Sequence, residues 1–450
     1  MIMRPTRENL AEPENKPKGL RAVIVAALGA STLEWYDFYI YGTAAALVFN
    51  KVFFPSVNPA LGTLAAFATF GVGFLFRPLG GLIFGHFGDT LGRKKLLVIA
   101  MMVMGISTFL IGVLPTYSTV GILAPILLVV LRAAQGLAVG GQYGGAMLLV
   151  TENAPANRRG YYGSFSHIGP SLAVILSNVV FLVVVAAVSS DALIGWAWRI
   201  PFLLSVFVVA AGIYMQLKIE DTAEFRELQE RRVAEQGGQQ VQRRSPVIEA
   251  LRTHPREILQ AGGMILIVQV YYYVLIVFTI SYATSHDISR TTALVAVLLS
   301  SLATVVSIPI FAALSDKSGR KTVLVWSAIA TTASAFPFVL LLGTGSVPLL
   351  VLAVVVPGVT LGALYGPMAA FYYEMFSAEV RYSGASIGYQ LGAVLGGGFS
   401  PFIATGLLEA TGSLLSVGAF ITVAGLLSIW AIASVSTSSR RTSTEVSQAT

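Results

Sequence analysis

The sequence predicts an all-α integral membrane protein of twelve transmembrane helices, arranged as two pseudo-symmetric six-helix bundles. Three observations carry this. Of 450 residues, 55% are hydrophobic and 11% charged, with a mean hydropathy of +0.76, which is more apolar surface than a water-soluble core can hide. The apolar residues fall into twelve runs, each able at ~1.5 Å per residue to cross about 30 Å of hydrocarbon. The chain is also written twice: Asp89-Thr90-Leu91-Gly92-Arg93-Lys94 returns as Asp316-Lys317-Ser318-Gly319-Arg320-Lys321, each time between two apolar runs.

The runs lie near residues 22–49, 61–85, 96–114, 119–147, 161–187 and 196–217, then 257–284, 291–314, 322–342, 347–373, 384–408 and 413–435. The first exceeds the apolar core of a signal peptide, about 7–15 residues, and holds Glu34 and Asp37, so it is expected to be a retained helix. Residues 1–21 read as a polar tail, 22–217 as the first bundle, 218–256 as a linker, 257–435 as the second bundle and 436–450 as a second tail. The linker combines a charged, helix-compatible stretch from Glu220 to Arg232 with a Gln- and Gly-containing stretch from Gln236 to Gln242, the composition of a surface connection.

Charge sets the orientation. The tails, the linker and the even-numbered connections hold 24 of the 29 basic residues. The positive-inside rule then puts both termini in the cytoplasm of a plasma or inner membrane. The net charge of +7 is therefore an orientation signal, and no nucleic-acid partner is expected. There is no Cys and only four His. No zinc-type spacing or phosphate loop occurs, so neither an enzyme nor a metal site is expected. The expected partners are a small-molecule solute, a proton and the bilayer, with the chain acting as a monomer and no cofactor beyond the proton.

The repeat extends past one motif. Glu152 precedes Arg159 by the interval that separates Glu374 from Arg381; the shift is 222 positions from Glu152 to Glu374 and 227 from Asp89 to Asp316. Solute transporters use such internal repeats to build matching bundles around a midplane site. Asp89, Arg93, Glu152, Arg159, Asp316, Arg320, Glu374 and Arg381 are therefore expected to tie the bundles together at the cytoplasmic rim when that mouth is shut. Ordinary loop ion pairs, each worth about 0–1 kcal/mol, are the plainer reading.

Charges inside the bilayer are sharper. Each central charge costs about 2.5–3.5 kcal/mol on an insertion scale, so Glu34, Asp37, Arg77 and Arg132 are expected to face inward. Glu34 and Asp37 share a face of the first helix, about 18 and 22 Å deep, and Arg132 on the fourth helix comes within reach of them. A carboxylate beside Arg stays ionised, whereas one whose Arg is diverted by an anionic solute takes a proton. Glu34, Asp37 and Arg132 are accordingly the proton-coupling candidates; a static salt bridge orienting two helices is the alternative.

Tyr36, Arg132, Gln135, Gln142, His167, Gln269, Tyr272 and Gln390 are the substrate-binding candidates, because amides and hydroxyls beside one Arg suit a small hydroxylated carboxylate. Each could instead serve helix packing. Glycines recur every fourth residue at Gly136, Gly140 and Gly144, and at Gly388, Gly392 and Gly396; such small faces let helices approach closely.

The chain resembles the major facilitator superfamily, and within it the metabolite:proton symporter family, with the shikimate permease branch most similar in look. The resemblance covers nearly the whole length. It rests on Glu34-Trp-Tyr-Asp37-Phe, Phe76-Arg-Pro-Leu-Gly-Gly81, Gly85-His-Phe-Gly-Asp-Thr-Leu-Gly-Arg-Lys-Lys95, Arg132-Ala-Ala-Gln-Gly136, Trp198-Arg-Ile-Pro-Phe202 and Arg381-Tyr-Ser-Gly384. It implies the major facilitator fold, with Asp37 and Arg132 matching the membrane-embedded acid and fourth-helix Arg of coupling, and Asp89 with Arg93 matching the inner gate. Two departures stand out. Gln142 replaces a common Glu, and Gly169-Pro170 lacks the following glycine of drug/proton antiporters. The resemblance implies import of a small organic acid by proton symport with alternating access. Proton-coupled export of a metabolite or drug, and a nontransporting membrane sensor, are the alternatives.

Overall fold

The computed structural model describes residues 20–91, 93–140, 150–151, 154–218, 251–376 and 380–435. Within lipid, backbone amides and carbonyls find no water, so helices that satisfy their own hydrogen bonds are the expected solution. Among the described residues every regular element is helical. We number the long helices α1 (Leu20–Ala44), α2 (Pro59–Leu91), α3 (Arg93–Val113), α4 (Leu123–Gly140), α5 (Arg159–Ala187), α6 (Ile200–Lys218), α7 (Pro255–Ser285), α8 (Arg290–Ser318), α9 (Arg320–Leu342), α10 (Val347–Met375), α11 (Ser383–Thr411) and α12 (Leu415–Ser434). Ten contain spans long and apolar enough to cross a membrane, and α1 and α3, with 25 and 21 residues, have the length.

Two boundaries differ from expectation. Helix α2 continues to Leu91 instead of stopping near 85, and α4 begins at Leu123, because Gly121 takes a φ of +61° after the short helix Tyr117–Val120. The repeated motif makes its reversal where foreseen in the second copy: Gly319, between α8 and α9, has a φ of +90°, open to glycine at no steric cost.

The halves share one packing plan. In the first, α1 packs on α5 and α6, α2 on α4, and α3 on α4 and α6; in the second, α7 packs on α11 and α12, α8 on α10, and α9 on α10 and α12. The halves meet through α5 against α8 and α2 against α11. A π-turn extends α1 over Ala45–Phe49, and α7 carries its counterpart over Val274–Phe278, 229 positions on from Ala45 to Val274.

The symmetry reaches single atoms. A Cβ on Gly136 would collide with the Gly73 carbonyl, and one on Gly140 with the Arg77 carbonyl; in the second half a Cβ on Gly358 would meet the Ser300 carbonyl, and one on Gly362 the Thr304 carbonyl. The counterpart of the α4 glycines is thus on α10. The α11 glycines also serve packing, but against α7, where Gly388 faces Ala261 and Gly396 faces the Leu266 carbonyl. Gly144 lies outside the described residues. Where α8 presents Ser300, Thr304 and Ser307, whose hydroxyls donate to Val354, Gly358 and Val359 carbonyls at 2.8, 2.9 and 2.8 Å, α2 presents Gly73, Arg77 and Gly80. The first half has exchanged a hydroxyl-bonded seam for glycines and a cation. Outside this core, Phe207, Trp326 and Trp430 are exposed, as lipid-facing positions are.

Candidate functional site

Asp37 on α1, Arg77 on α2 and Arg132 on α4 are each fully buried. The glycine contacts of α2 with α4 put both arginines at neighbouring levels. Arg132 lies across the gap above Gly73, where a Cβ would come within 2.8 Å of its Nε. Its Nη1 donates to Gln135 Oε1 at 3.0 Å, Gln135 Nε2 donates to Thr108 Oγ1 at 2.7 Å, and Thr108 Oγ1 donates to the Met104 carbonyl at 2.8 Å. The Asp37 carboxylate faces Thr108, yet neither of its oxygens receives a hydrogen bond.

The expected direct contact of Asp37 with Arg132 is therefore corrected. Gln135 and Thr108 stand between the two charges, and aromatic rings hold the guanidinium: Arg132 Cζ lies 3.9 Å from the Phe38 centroid, 4.3 Å from Tyr41 and 4.8 Å from Phe70. Arg77 is held the same way, 4.1 Å from Phe74, 4.4 Å from Phe38 and 5.1 Å from Trp35. Ring faces attract a guanidinium but accept no directed hydrogen bonds comparable to a carboxylate's. Nε, Nη1 and Nη2 of Arg77, and Nε and Nη2 of Arg132, have no acceptor.

The second half meets this cluster with phenols and amides. Tyr273 on α7 packs edge-on to Phe74 at 5.3 Å and against Phe70 at 5.6 Å, and Tyr39 reaches both Tyr272 and Tyr273. The Tyr272 hydroxyl and both amide atoms of Gln390 are buried without partners. Across the halves, His167 on α5 stacks on Tyr365 of α10 at 3.9 Å and 4°, with Nδ1 2.9 Å from the Tyr365 carbonyl and Nε2 unpartnered. Since a carbonyl only accepts, Nδ1 carries the hydrogen and neutral Nε2 is left as an acceptor. Gln269 is buried on α7 beside Gly396. Tyr36 turns elsewhere: its hydroxyl donates to the Pro201 carbonyl of α6 at 3.3 Å, inside the first half, where it stays within electrostatic reach of Asp37.

At the rim bearing the repeated motif, Asp316 joins the halves. Its two oxygens accept from the Gly160 and Tyr161 amides in the first turn of α5, both at 2.9 Å, where orphan N–H groups and the helix dipole favour an anion. Arg320 bonds Asp316 at 3.2 Å and pairs with Glu374. Arg159 and Arg381 are brought together by a ring: both guanidiniums lie over Tyr373, at 4.8 and 3.8 Å, and Arg381 Nε donates to the Tyr373 carbonyl at 2.9 Å. At the opposite rim Arg290 donates to Ser190 at 2.9 Å. Glu34, Asp89 and Arg93, by their side chains, and Gln142 and Glu152 entirely, lie outside the described residues.

A family model described as sugar (and other) transporter matches residues 22–448. The chain belongs to that family. Among its relatives is the shikimate transporter of Escherichia coli (strain K12), 44% identical over 388 residues, which are 85% of this chain and 87% of that one. The proline/betaine transporter of Salmonella typhimurium (strain LT2) is 34% identical over 397 residues, 87% of this chain and 78% of that one. The fold is that of a solved D-xylose-proton symporter, with a TM-score of 0.71, 16% identity and coverage of 92% and 96% of the two chains. This transporter family member is a multi-pass membrane protein of the major facilitator fold, not an enzyme.

Sequence reasoning did not assign Arg77, Thr108, Tyr273, Tyr365 or Tyr373 to these sites. Arg77 carried a signal, an unexplained intramembrane charge. Tyr365 and Tyr373 could be suspected only as hydroxyls within an apolar helix.

Proposed function

We propose that this transporter carries a small organic acid, a shikimate-like or other carboxylate metabolite, into the cell together with a proton. Both termini lie in the cytoplasm, so the Asp316 rim is the cytoplasmic gate. The observation that carries the reading is a buried, unpartnered Asp37 linked through Thr108 and Gln135 to an Arg132 whose Nε and Nη2 stand open. When ionised, Asp37 is a counter-charge to the two arginines. An arriving carboxylate competes for that role, and a proton on Asp37 removes the competition. Anion and proton therefore favour one another's binding, which is the thermodynamic condition for symport. Rocking of the halves, with Asp316 leaving the α5 amides, delivers both to the other side. The names of the relatives, a shikimate transporter and a xylose-proton symporter, support this reading.

The test is uptake of labelled shikimate and other carboxylates into proteoliposomes under an imposed pH gradient. Accumulation should follow the gradient and vanish with a protonophore. Asp37→Asn should abolish uphill uptake and spare exchange. Accumulation that persists in Asp37→Asn and still tracks the gradient would refute the assignment.

A further inference from the structure

Arg77 has no part in the Arg132–Gln135–Thr108 chain, and its three nitrogens are all buried and unpartnered. Among the described residues no carboxylate pairs with it. Burial of a charge without a partner is expensive, and ring faces return only part of the lost hydration. Its backbone is held close to α4: a Cβ on Gly140 would collide with the Arg77 carbonyl. The same Phe38 ring lies within 4.4 Å of Arg77 Cζ and 3.9 Å of Arg132 Cζ. Two like charges thus share one aromatic wall. An anion reaching both would relieve their repulsion and fill their open donors together.

We propose that Arg77 is a second substrate-binding cation, and that Arg77 with Arg132 clasps the substrate's carboxylate, making the site selective for net anions over zwitterions and neutral analogues. A carboxylate has about four lone-pair directions, enough to accept from both guanidiniums. A quaternary ammonium needs free aromatic faces. Here Trp35, Phe38, Phe74, Tyr41 and Phe70 already hold guanidiniums, so a betaine-like head meets like charge instead of a cage. This rests on the carboxylate-transporter reading above.

Equilibrium binding to the full chain in nanodiscs, at one fixed pH and without a gradient, tests it. The probes are shikimate, benzoate and succinate, with shikimate methyl ester and glycine betaine. At least one acid should bind wild type, with ester and betaine weaker by about tenfold or more. Arg77→Gln should weaken the acid about 10- to 100-fold, and Arg77→Lys should recover part of that, since it restores the charge but not the planar fork. Betaine or ester binding as tightly as the acid, unaltered acid binding by Arg77→Gln, or no acid bound at all would overturn the proposal. If Arg77→Gln does not fold, the wild-type probe series decides alone. A failure of proton coupling leaves these binding results untouched, while proton-driven uptake of betaine would refute anion selection and leave the coupling intact.

Discussion

Arg132 Nη1 donates to Gln135 Oε1 at 3.0 Å, three residues apart on one helix face, so a neutral amide holds the nitrogen that a carboxylate would otherwise take. Replacing Gln135 with Leu leaves that donor without an acceptor. With the amide gone, only Thr108 separates that donor from Asp37, which can turn toward it. Stabilising ionised Asp37 means that more acid is needed to protonate it before substrate can compete. The pH at which uptake is half-maximal should fall by about one unit, the equivalent of a charged hydrogen bond of ~1.5 kcal/mol. The pH profile of initial uptake rates checks this; a profile that stays in place or moves alkaline contradicts it.

The Asp316 carboxylate is the acceptor for two amides of α5 and for Arg320. Asp316→Ala removes all three bonds at a barely exposed site, while Asp316→Asn keeps one acceptor oxygen and loses the charge. Loss of the two charge-assisted bonds that cross between the halves should shift the conformer equilibrium away from the state closed at this rim by about 100-fold. Cysteines placed on the pore-facing side of that rim should label faster in Asp316→Ala, with Asp316→Asn intermediate. Equal labelling in all three proteins would mean that these bonds are incidental.

His167 Nε2 is a buried acceptor without a donor, on a ring whose centroid lies 3.9 Å from that of the parallel Tyr365 ring. A substrate hydroxyl is the chemistry it lacks. His167→Phe keeps the stack and removes the acceptor, so the affinity for a hydroxylated acid should fall about tenfold. The affinity for the deoxygenated analogue should hardly change. Competition assays with shikimate and cyclohexenecarboxylate separate the two; equal losses for both would reduce His167 to a packing residue.

The helix number and the twofold plan are legible in the sequence because lipid imposes one length and one hydropathy on every span, and because Asp316 and Glu374 repeat Asp89 and Glu152 at nearly one shift. Depth is legible too: counting along the helices brings Asp37 and Arg132 to similar levels. Rotation is not. Arg132 turns to Phe38 and Gln135 because Gly73, on a helix far off in sequence, leaves the space for it. No spacing rule links residue 38 to residue 77 or 132, so the aromatic wall between the arginines had no sequence signature. The glycine repeat shows the same limit. Gly388 and Gly392 on α11 have the spacing of Gly136 and Gly140, and so do Gly358 and Gly362 on α10; only the atoms they meet decide which pair is equivalent.

That equivalence supplies its own experiment. Gly73 and Ser300 occupy matching places, each with its carbonyl against a glycine of the partner helix, and the second half accommodates a serine there. Gly73→Ser should therefore leave the α2–α4 seam intact. Its Cβ would nevertheless fall within 2.8 Å of Arg132 Nε and 3.1 Å of Cζ, forcing the guanidinium from its place above the glycine. The expected outcome is a protein that inserts and melts near the wild-type temperature but whose kcat/KM for the acid falls by about 10- to 100-fold, as for loss of an oriented charged contact. Gly136→Ser is the matched contrast, because its Cβ collides with backbone instead of side chain, and overpacking of that kind destabilises by about 1–3 kcal/mol. Melting temperature and transport measured on both variants would distinguish a displaced arginine from a broken seam; a Gly73→Ser protein with wild-type transport would show that the position of Arg132 does not govern substrate capture.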